Sequence, residues 1–164
     1  MPAAIIFGVC VAVAAAAQTS LLISFVAIGE VRPNVVIVLV ACIALVRGPV
    51  AGSGLGLLGG FLVGALEGAF LGQQIAGGMV AGFLAGALRG RIFTERRSVG
   101  LLVGFAAVIV AEAVPYLAAP REPLLAWLRA VGLEAVYSAV LAIPFYIFAR
   151  WVDRLLPGRT DEGV

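Results

Sequence analysis

Histidine and lysine are both absent from this chain of 164 residues, so its 11 basic side chains are all arginine. Without histidine the chain lacks the usual general base and the commonest metal ligand. Cys10 and Cys42 lie in apolar segments, where we expect small buried side chains rather than a disulfide or a metal pair. The sequence also contains no nucleotide-binding loop, nucleophile elbow or metal-ligand cluster. These absences predict a protein that is not an enzyme and holds no cofactor or metal.

Charged residues are scarce as well: they make up 12% of the chain, whereas soluble domains contain about 25%. Apolar residues make up 63%, and the mean hydropathy is +1.15. This composition indicates an integral membrane protein whose surface contacts membrane lipid. The net charge of +2 gives no reason to expect nucleic acid as a partner.

A spanning helix needs about 20 apolar residues, and several segments approach or reach that length. We predict spans over residues 3–22, 33–46, 50–66, 75–88, 99–118 and 133–149. Residues 119–130 are predicted to form a loop with an amphipathic segment at the membrane interface. The expected fold is therefore all-α: one compact domain of six transmembrane helices over residues 1–150, followed by a short cytoplasmic tail over residues 151–164.

The distribution of arginine predicts how these helices are oriented. Cytoplasmic segments of membrane proteins are enriched in Lys and Arg. With a cytoplasmic N-terminus and six spans, the inner segments would hold eight arginines: Arg47, Arg89, Arg91, Arg96, Arg97, Arg150, Arg154 and Arg159. The outer segments would hold three: Arg32, Arg121 and Arg129. This bias predicts that both termini are cytoplasmic.

Glycine recurs at every fourth position in two runs within the predicted third and fourth helices. The runs are Gly48, Gly52, Gly56, Gly60, Gly64, Gly68 and Gly72, and then Gly78, Gly82, Gly86 and Gly90. An interior glycine costs a helix in water about 0.5–1 kcal/mol relative to alanine, whereas in lipid it lets two helix backbones approach closely. We expect Gly56 and Gly60 to lie in one close crossing and Gly82 and Gly86 in another, as packing surfaces within the bundle and toward a partner's helix.

Carboxylates near the bilayer are the remaining candidate functional groups, because a charge there is costly and is kept for a reason. Glu67 follows the third predicted helix, on nearly the same face as Gly60. It either has a functional role or only caps the helix at the outer surface, exposed to water. Glu112 lies well inside the fifth helix and is the firmer intramembrane case, while Glu134 begins the sixth. Asn34, after Pro33, is placed to accept hydrogen bonds from free backbone N–H groups at a helix start.

Short motifs along the chain resemble, in their order, those of the rod-shape-determining protein MreD family. The matching residues are Gln18-Thr19-Ser20, Pro33-Asn34, Arg47-Gly48-Pro49, the glycine-rich stretch Gly56, Gly60, Gly64, Glu67 and Gly72, and the last helix from Tyr137-Ser138 through Pro144 to Arg150 and Arg154. The family usually has Asp where this chain has Glu67, and it often has Asn near Ser138. The resemblance covers nearly the whole chain.

The resemblance implies a non-enzymatic membrane subunit of the bacterial elongasome, located in the cytoplasmic membrane. Such a subunit binds the transmembrane helix of MreC and acts with RodA, a class B penicillin-binding protein and MreB in lateral peptidoglycan synthesis and cell-shape maintenance. The family's fold is similar to the substrate-binding S-components of energy-coupling-factor transporters. A vitamin-binding S-component is therefore the alternative, although the polar groups that such a subunit needs look sparse in this sequence.

Overall fold

Six helices make up the computed structural model, which describes residues 2–19, 33–68, 70–89, 97–119 and 123–155. The helices are α1 (Pro2–Thr19), α2 (Val35–Arg47), α3 (Pro49–Glu67), α4 (Leu71–Ala87), α5 (Arg97–Ala118) and α6 (Leu124–Leu155). Three are long and apolar enough to cross a membrane: α3, the Val99–Ala118 part of α5, and α6. The all-helical fold is as predicted, and its three long apolar helices indicate a membrane protein.

Helix α2 forms the centre of the bundle and packs against all five other helices. Its sequence is apolar on every side, which is typical of a helix surrounded by protein. Residues 36–45 are each at most 7% exposed. Cys42 lies here as a buried free thiol, and its Sγ donates a weak hydrogen bond to the carbonyl of Ala142 on α6, at 3.6 Å. The expectation of a small buried cysteine at this position is confirmed.

A tight break separates α2 from α3, as the Arg-Gly-Pro motif predicts. Gly48 adopts φ 95°, a backbone conformation that residues with a Cβ rarely adopt. Its N–H donates to the carbonyl of Ala44 at 2.7 Å. Pro49 begins α3, where its missing N–H removes no helical hydrogen bond. The chain therefore reverses direction within one residue, and α3 packs back alongside α2.

The two glycine runs meet each other in one antiparallel crossing between α3 and α4. The pairs in contact, taken along α3, are Pro49 with Gly86, Gly52 with Gly82, Gly56 with Gly78, Gly60 with Gln74, and Gly64 with Leu71. A Cβ on Gly56 would overlap the carbonyl oxygen of Gly78, and one on Gly60 would overlap that of Gln74. Backbone atoms cannot rotate away as a side chain can, so these positions require glycine.

The prediction of two separate crossings is therefore wrong: Gly56, Gly60 and Gly64 pack against the same helix that carries Gly82 and Gly86. The four-residue spacing keeps both runs on facing sides for almost the full length of the two helices. The groove is filled within the molecule, which leaves no room there for a partner's helix. Gly68 and Gly72 lie beyond the contact, since a Cβ at either would meet no neighbour within 4 Å. Gly90 lies outside the described residues.

The last helix is longer than predicted. Residues 124–130 continue directly into α6, and Gly132 and Pro144 both lie inside this helix of 32 residues. The predicted boundary between this segment and the sixth helix is wrong, because the helix continues through Gly132 next to the buried Val131. Helix α6 also extends past residue 150 to Leu155. Helix α4 begins at Leu71, four residues before the predicted start.

An ion pair joins α2 to α6 at the end of the bundle that carries Gly48. The Arg47 Nε lies 2.6 Å from the Asp153 Oδ1, and the Arg47 side chain is largely buried. The same guanidinium lies over the ring of Phe7 on α1, with its Cζ 5.4 Å from the ring centroid. One arginine therefore connects three helices at this end.

The α3–α4 crossing predicts opposite results from the same substitution at two glycines of α3. Gly56→Ala places a methyl group against the Gly78 carbonyl, and we expect a loss of about 1–3 kcal/mol of stability, as for other overpacked interiors. Gly54 is exposed, and a Cβ there would meet nothing within 4 Å, so Gly54→Ala should leave stability unchanged or raise it slightly. Thermal unfolding in a neutral detergent measures both, and equal midpoints would contradict the close backbone contact.

Candidate functional site

A cavity of about 720 Å³ lies at the end of the bundle opposite the Arg47 ion pair. All six helices contribute to its wall: the ends of α1 and α3, the starts of α2 and α4, and the facing parts of α5 and α6. The polar lining residues are Gln18, Thr19, Asn34, Glu67, Gln74, Glu112 and Glu134. The apolar lining residues are Pro33, Val36, Ile37, Gly59, Gly60, Val63, Leu66, Ala130 and Leu133.

The position of this cavity follows from the length of α2. A helix of 13 residues is about 20 Å long, whereas the hydrocarbon core of a bilayer is about 30 Å thick. The C-terminal end of α2 lies next to Gly48 at one end of the bundle. Its N-terminal end lies well short of the other end. The cavity occupies the space between the start of α2 and that other end.

The start of α2 lies inside the protein, so its free backbone N–H groups need acceptors that water does not supply. Gln18 of α1 accepts the Val36 N–H through its Oε1 at 2.9 Å. The Asn34 Oδ1 accepts the Ile37 N–H at 3.3 Å, which makes Asn34 the N-cap. This confirms the cap predicted for Asn34, while Gln18 supplies an acceptor from another helix.

Asn34 also connects three helices through its other polar groups. Its backbone N–H donates to the Oγ of Ser138 on α6 at 2.9 Å, and Ser138 is fully buried. Its Nδ2 donates to the Oε1 of Glu112 on α5 at 3.3 Å. Asn34 is therefore the polar centre of the site, and it is positioned by Pro33, which lies buried immediately before it.

Three carboxylates surround the cavity at different depths. Glu67 is exposed at the end of α3, whereas Glu112 and Glu134 are half-buried. Among the described residues, no group of three Asp, Glu, Cys or His side chains is placed to hold a metal ion.

A smaller cavity of about 280 Å³ adjoins the first and shares Glu112, Ala130 and Glu134 with it. Tyr116 of α5 and Trp127 of α6 form its aromatic side, stacked with ring centroids 4.5 Å apart. This stack bridges α5 and α6 beside the two buried carboxylates. The segment that was predicted to lie at the membrane interface thus supplies an aromatic wall of the site.

The predicted site residues divide into two groups. Pro33, Asn34, Gly60, Glu67 and Glu112 meet at the cavity. The others, Gly56, Gly64, Gly82 and Gly86, lie in the α3–α4 crossing. Gly60 belongs to both, and it shares a face with Glu67 as the spacing predicts.

The predicted set did not include three polar residues of the site, Gln18, Gln74 and Ser138, whereas Glu134 was already among the candidate carboxylates. In the sequence, Gln18 and Gln74 look like ordinary polar residues near the ends of helices. Nothing in the local sequence distinguishes a glutamine that caps another helix from one that contacts solvent. Glu134 was expected at a helix start, but it lies in the eleventh position of α6. Its charge within a long apolar helix was the available signal.

Charge divides the described part of the bundle into two ends. Glu67, Glu112 and Glu134 lie at the cavity end, with Arg129 as the described basic residue near them. Arg47, Arg89, Arg150 and Arg154 lie toward the opposite end, with Asp153 as their described acidic neighbour. The arginine bias seen in the sequence is thus a bias between the two ends of the folded bundle. Arg97 is the first residue of α5, and Arg32, Arg91, Arg96, Arg121 and Arg159 lie outside the described residues.

The Asn34–Glu112 hydrogen bond can be tested by exchanging its two partners. Asn34→Asp keeps the N-cap oxygen but places a second carboxylate beside Glu112. We expect a loss of about 1.5–3 kcal/mol from the hydrogen bond to a charged group, which exceeds the gain of about 0.3–1 kcal/mol from a negative charge at a helix start. The double variant Asn34→Asp with Glu112→Gln again places a donor at position 112 opposite an acceptor at position 34, and it should recover most of the lost stability. Additive effects in thermal unfolding would contradict the direct bond.

No protein-family model, curated protein or solved structure matches this chain. The similarity to the MreD family therefore depends on the short motifs alone, and function has to be argued from how the fold uses those residues.

Proposed function

We propose that this chain is a non-enzymatic membrane subunit of the bacterial elongasome, of the MreD type, which binds MreC and supports cell shape and lateral peptidoglycan synthesis. RodA, a class B penicillin-binding protein and MreB are its further proposed partners. The observation that carries the proposal is that residues from four of the five motifs behind the resemblance, although far apart in sequence, meet at one end of the bundle. Gln18, Asn34 and Ser138 are joined by hydrogen bonds at the start of α2, and Glu67 lines the same cavity.

This convergence favours the proposal because unrelated short motifs would have no reason to meet. Gln18 and Ser138 come from the first and last helices, and each makes a hydrogen bond at the start of α2. Each of these motif residues has a distinct task in the fold, as an acceptor, a cap or a wall of the cavity. The Arg-Gly-Pro motif likewise makes the turn that brings α3 alongside α2.

The glycine crossing refines where MreC would bind. Because α3 and α4 fill each other's glycine groove, a partner's helix would have to contact the outer faces of the bundle. The crossing then serves to hold the subunit in one shape, and this shape is what a scaffold presents to its partners. Glu67 remains accessible at the cavity end and is the polar candidate for such a contact.

Binding of MreC can be tested by co-expressing the full chain with MreC from the same bacterium and purifying the chain from detergent extracts. We expect MreC to co-purify, and an unrelated protein with a single transmembrane helix to be absent. The same gene should restore rod shape in cells depleted of their own MreD. If the chain is monodisperse but MreC does not co-purify and rod shape is not restored, the proposal is overturned.

The cavity favours the second candidate, a vitamin-binding S-component of an energy-coupling-factor transporter. Its volume lies within the range of about 300–1,000 Å³ that is usual for small-molecule sites. The polar groups that seemed too sparse in the sequence converge on it from all six helices. The purification described above separates the two candidates, because an S-component would co-purify with the transporter's coupling subunits instead of MreC.

We further propose six spans in the cytoplasmic membrane with both termini cytoplasmic, which places the arginine-rich end inside and the cavity end outside. This orientation can be tested with single cysteines in a chain carrying Cys10→Ala and Cys42→Ala. Gly72→Cys lies in open space at the cavity end, and Arg89→Cys is exposed at the other end. A membrane-impermeant thiol reagent should label the first in intact cells and the second only after lysis. Labelling of both from the same side would contradict six spans.

A further inference from the structure

The charge of the two adjoining cavities has one sign. The charged side chains in their described lining are Glu67, Glu112 and Glu134, and none of the described lining residues is basic. The remaining polar lining consists mainly of amides, Gln18, Asn34, Gln73 and Gln74, which can donate and accept hydrogen bonds. A positive charge placed in this space would be opposite in sign to every charged group in the described wall.

The start of α2 does not turn the cavity into an anion site. A helix N-terminus carries the equivalent of about half a positive charge, against three carboxylates in the wall. In addition, the Val36 and Ile37 N–H groups that would bind an anion already donate to Gln18 and Asn34. The carboxylates therefore dominate the electrostatics of the cavity.

The size and the arrangement of the wall favour an organic ligand over a metal ion. The larger cavity has a volume of about 720 Å³, which suits a molecule of many atoms. The described carboxylates form no group that could hold a metal ion. Glu67 lines the larger cavity alone, whereas Glu112 and Glu134 belong to the lining of both cavities, so the carboxylates would contact different parts of one larger ligand.

Two stacked aromatic rings line the smaller cavity. Tyr116 and Trp127 form this lining together with Glu112 and Glu134, which belong to both cavities. Aromatic faces attract organic cations, and carboxylates attract them more strongly. Aromatic rings beside carboxylates are a common arrangement for binding ammonium groups that carry apolar substituents.

We propose that these cavities together bind a small organic cation, whose charged nitrogen lies near Glu112 and Glu134 and whose apolar part extends into the larger cavity. The proposal goes beyond the scaffold function and does not depend on MreC binding. In the orientation proposed above, the ligand would enter from outside the cell.

The test is calorimetric titration of the full chain in a neutral detergent with choline, tetraethylammonium and spermidine. The neutral isostere of choline, dimethylbutanol, has the same shape without the charge. We expect at least one cation to bind, and choline, if bound, to bind at least about tenfold tighter than dimethylbutanol. Absence of binding by all three cations at about 10 mM, or equal affinity for choline and dimethylbutanol, would overturn the proposal.

Variants locate the binding within the bundle. Glu112→Gln and Glu134→Gln keep the size of the side chain, and each should weaken cation binding by about tenfold. The matched control is Asp153→Asn, which removes one carboxylate at the opposite end and should leave the affinity unchanged. Equal effects of all three variants would mean that binding depends on the net charge of the protein and not on Glu112 and Glu134, which would overturn the proposed site. If a glutamine variant does not fold, the comparison of charged and neutral ligands on the unaltered chain still decides.

Discussion

The buried start of α2 is the constraint on which the rest of this structure depends. Helix α2 is shorter than the helices around it and starts inside the bundle, so its free N–H groups need acceptors supplied by the protein. Gln18, Asn34 and Ser138 satisfy the hydrogen bonds of this region, and each comes from a different part of the chain. The cavity lies directly beyond, because α2 leaves that space unfilled while the other helices surround it.

The contact between α3 and α4 provides the rigid side of this arrangement. Its glycines allow backbone to lie directly against backbone, so the position of one helix fixes that of the other with little freedom. Gly60 takes part in the crossing and also lines the cavity, and Gln74 faces it from α4. The crossing therefore sets the width of the cavity on this side and holds Glu67 at its mouth. Side-chain packing alone would leave more freedom to that wall.

The separation of charge connects the fold to function. Carboxylates and amides collect at the cavity end, while arginines collect at the end where Arg47 pairs with Asp153. The basic end is the one that the membrane would keep cytoplasmic. A scaffold of the elongasome and a receptor for a small molecule would each use a rigid bundle with an accessible cavity. The two functions are compatible in one molecule, because the outer faces of the helices and the cavity are different surfaces.

Composition and local backbone chemistry were enough to predict the all-helical fold, the break at Gly48 and the cap at Asn34, and they indicated a membrane protein. The sequence also identified Glu67 and Glu112 as unusual, since a carboxylate in an apolar helix is costly wherever it lies. The pairing of the two glycine runs, the acceptance of the Val36 N–H by Gln18 and the bond between Asn34 and Ser138 depend on tertiary packing. The Asn34–Ser138 bond links residues 104 positions apart in sequence. All of these contacts follow from which helix faces meet, and four-residue spacing does not specify that. The continuity of α6 through Gly132 likewise differs from the local expectation, since glycine has a low helix propensity and the helix nevertheless runs through it.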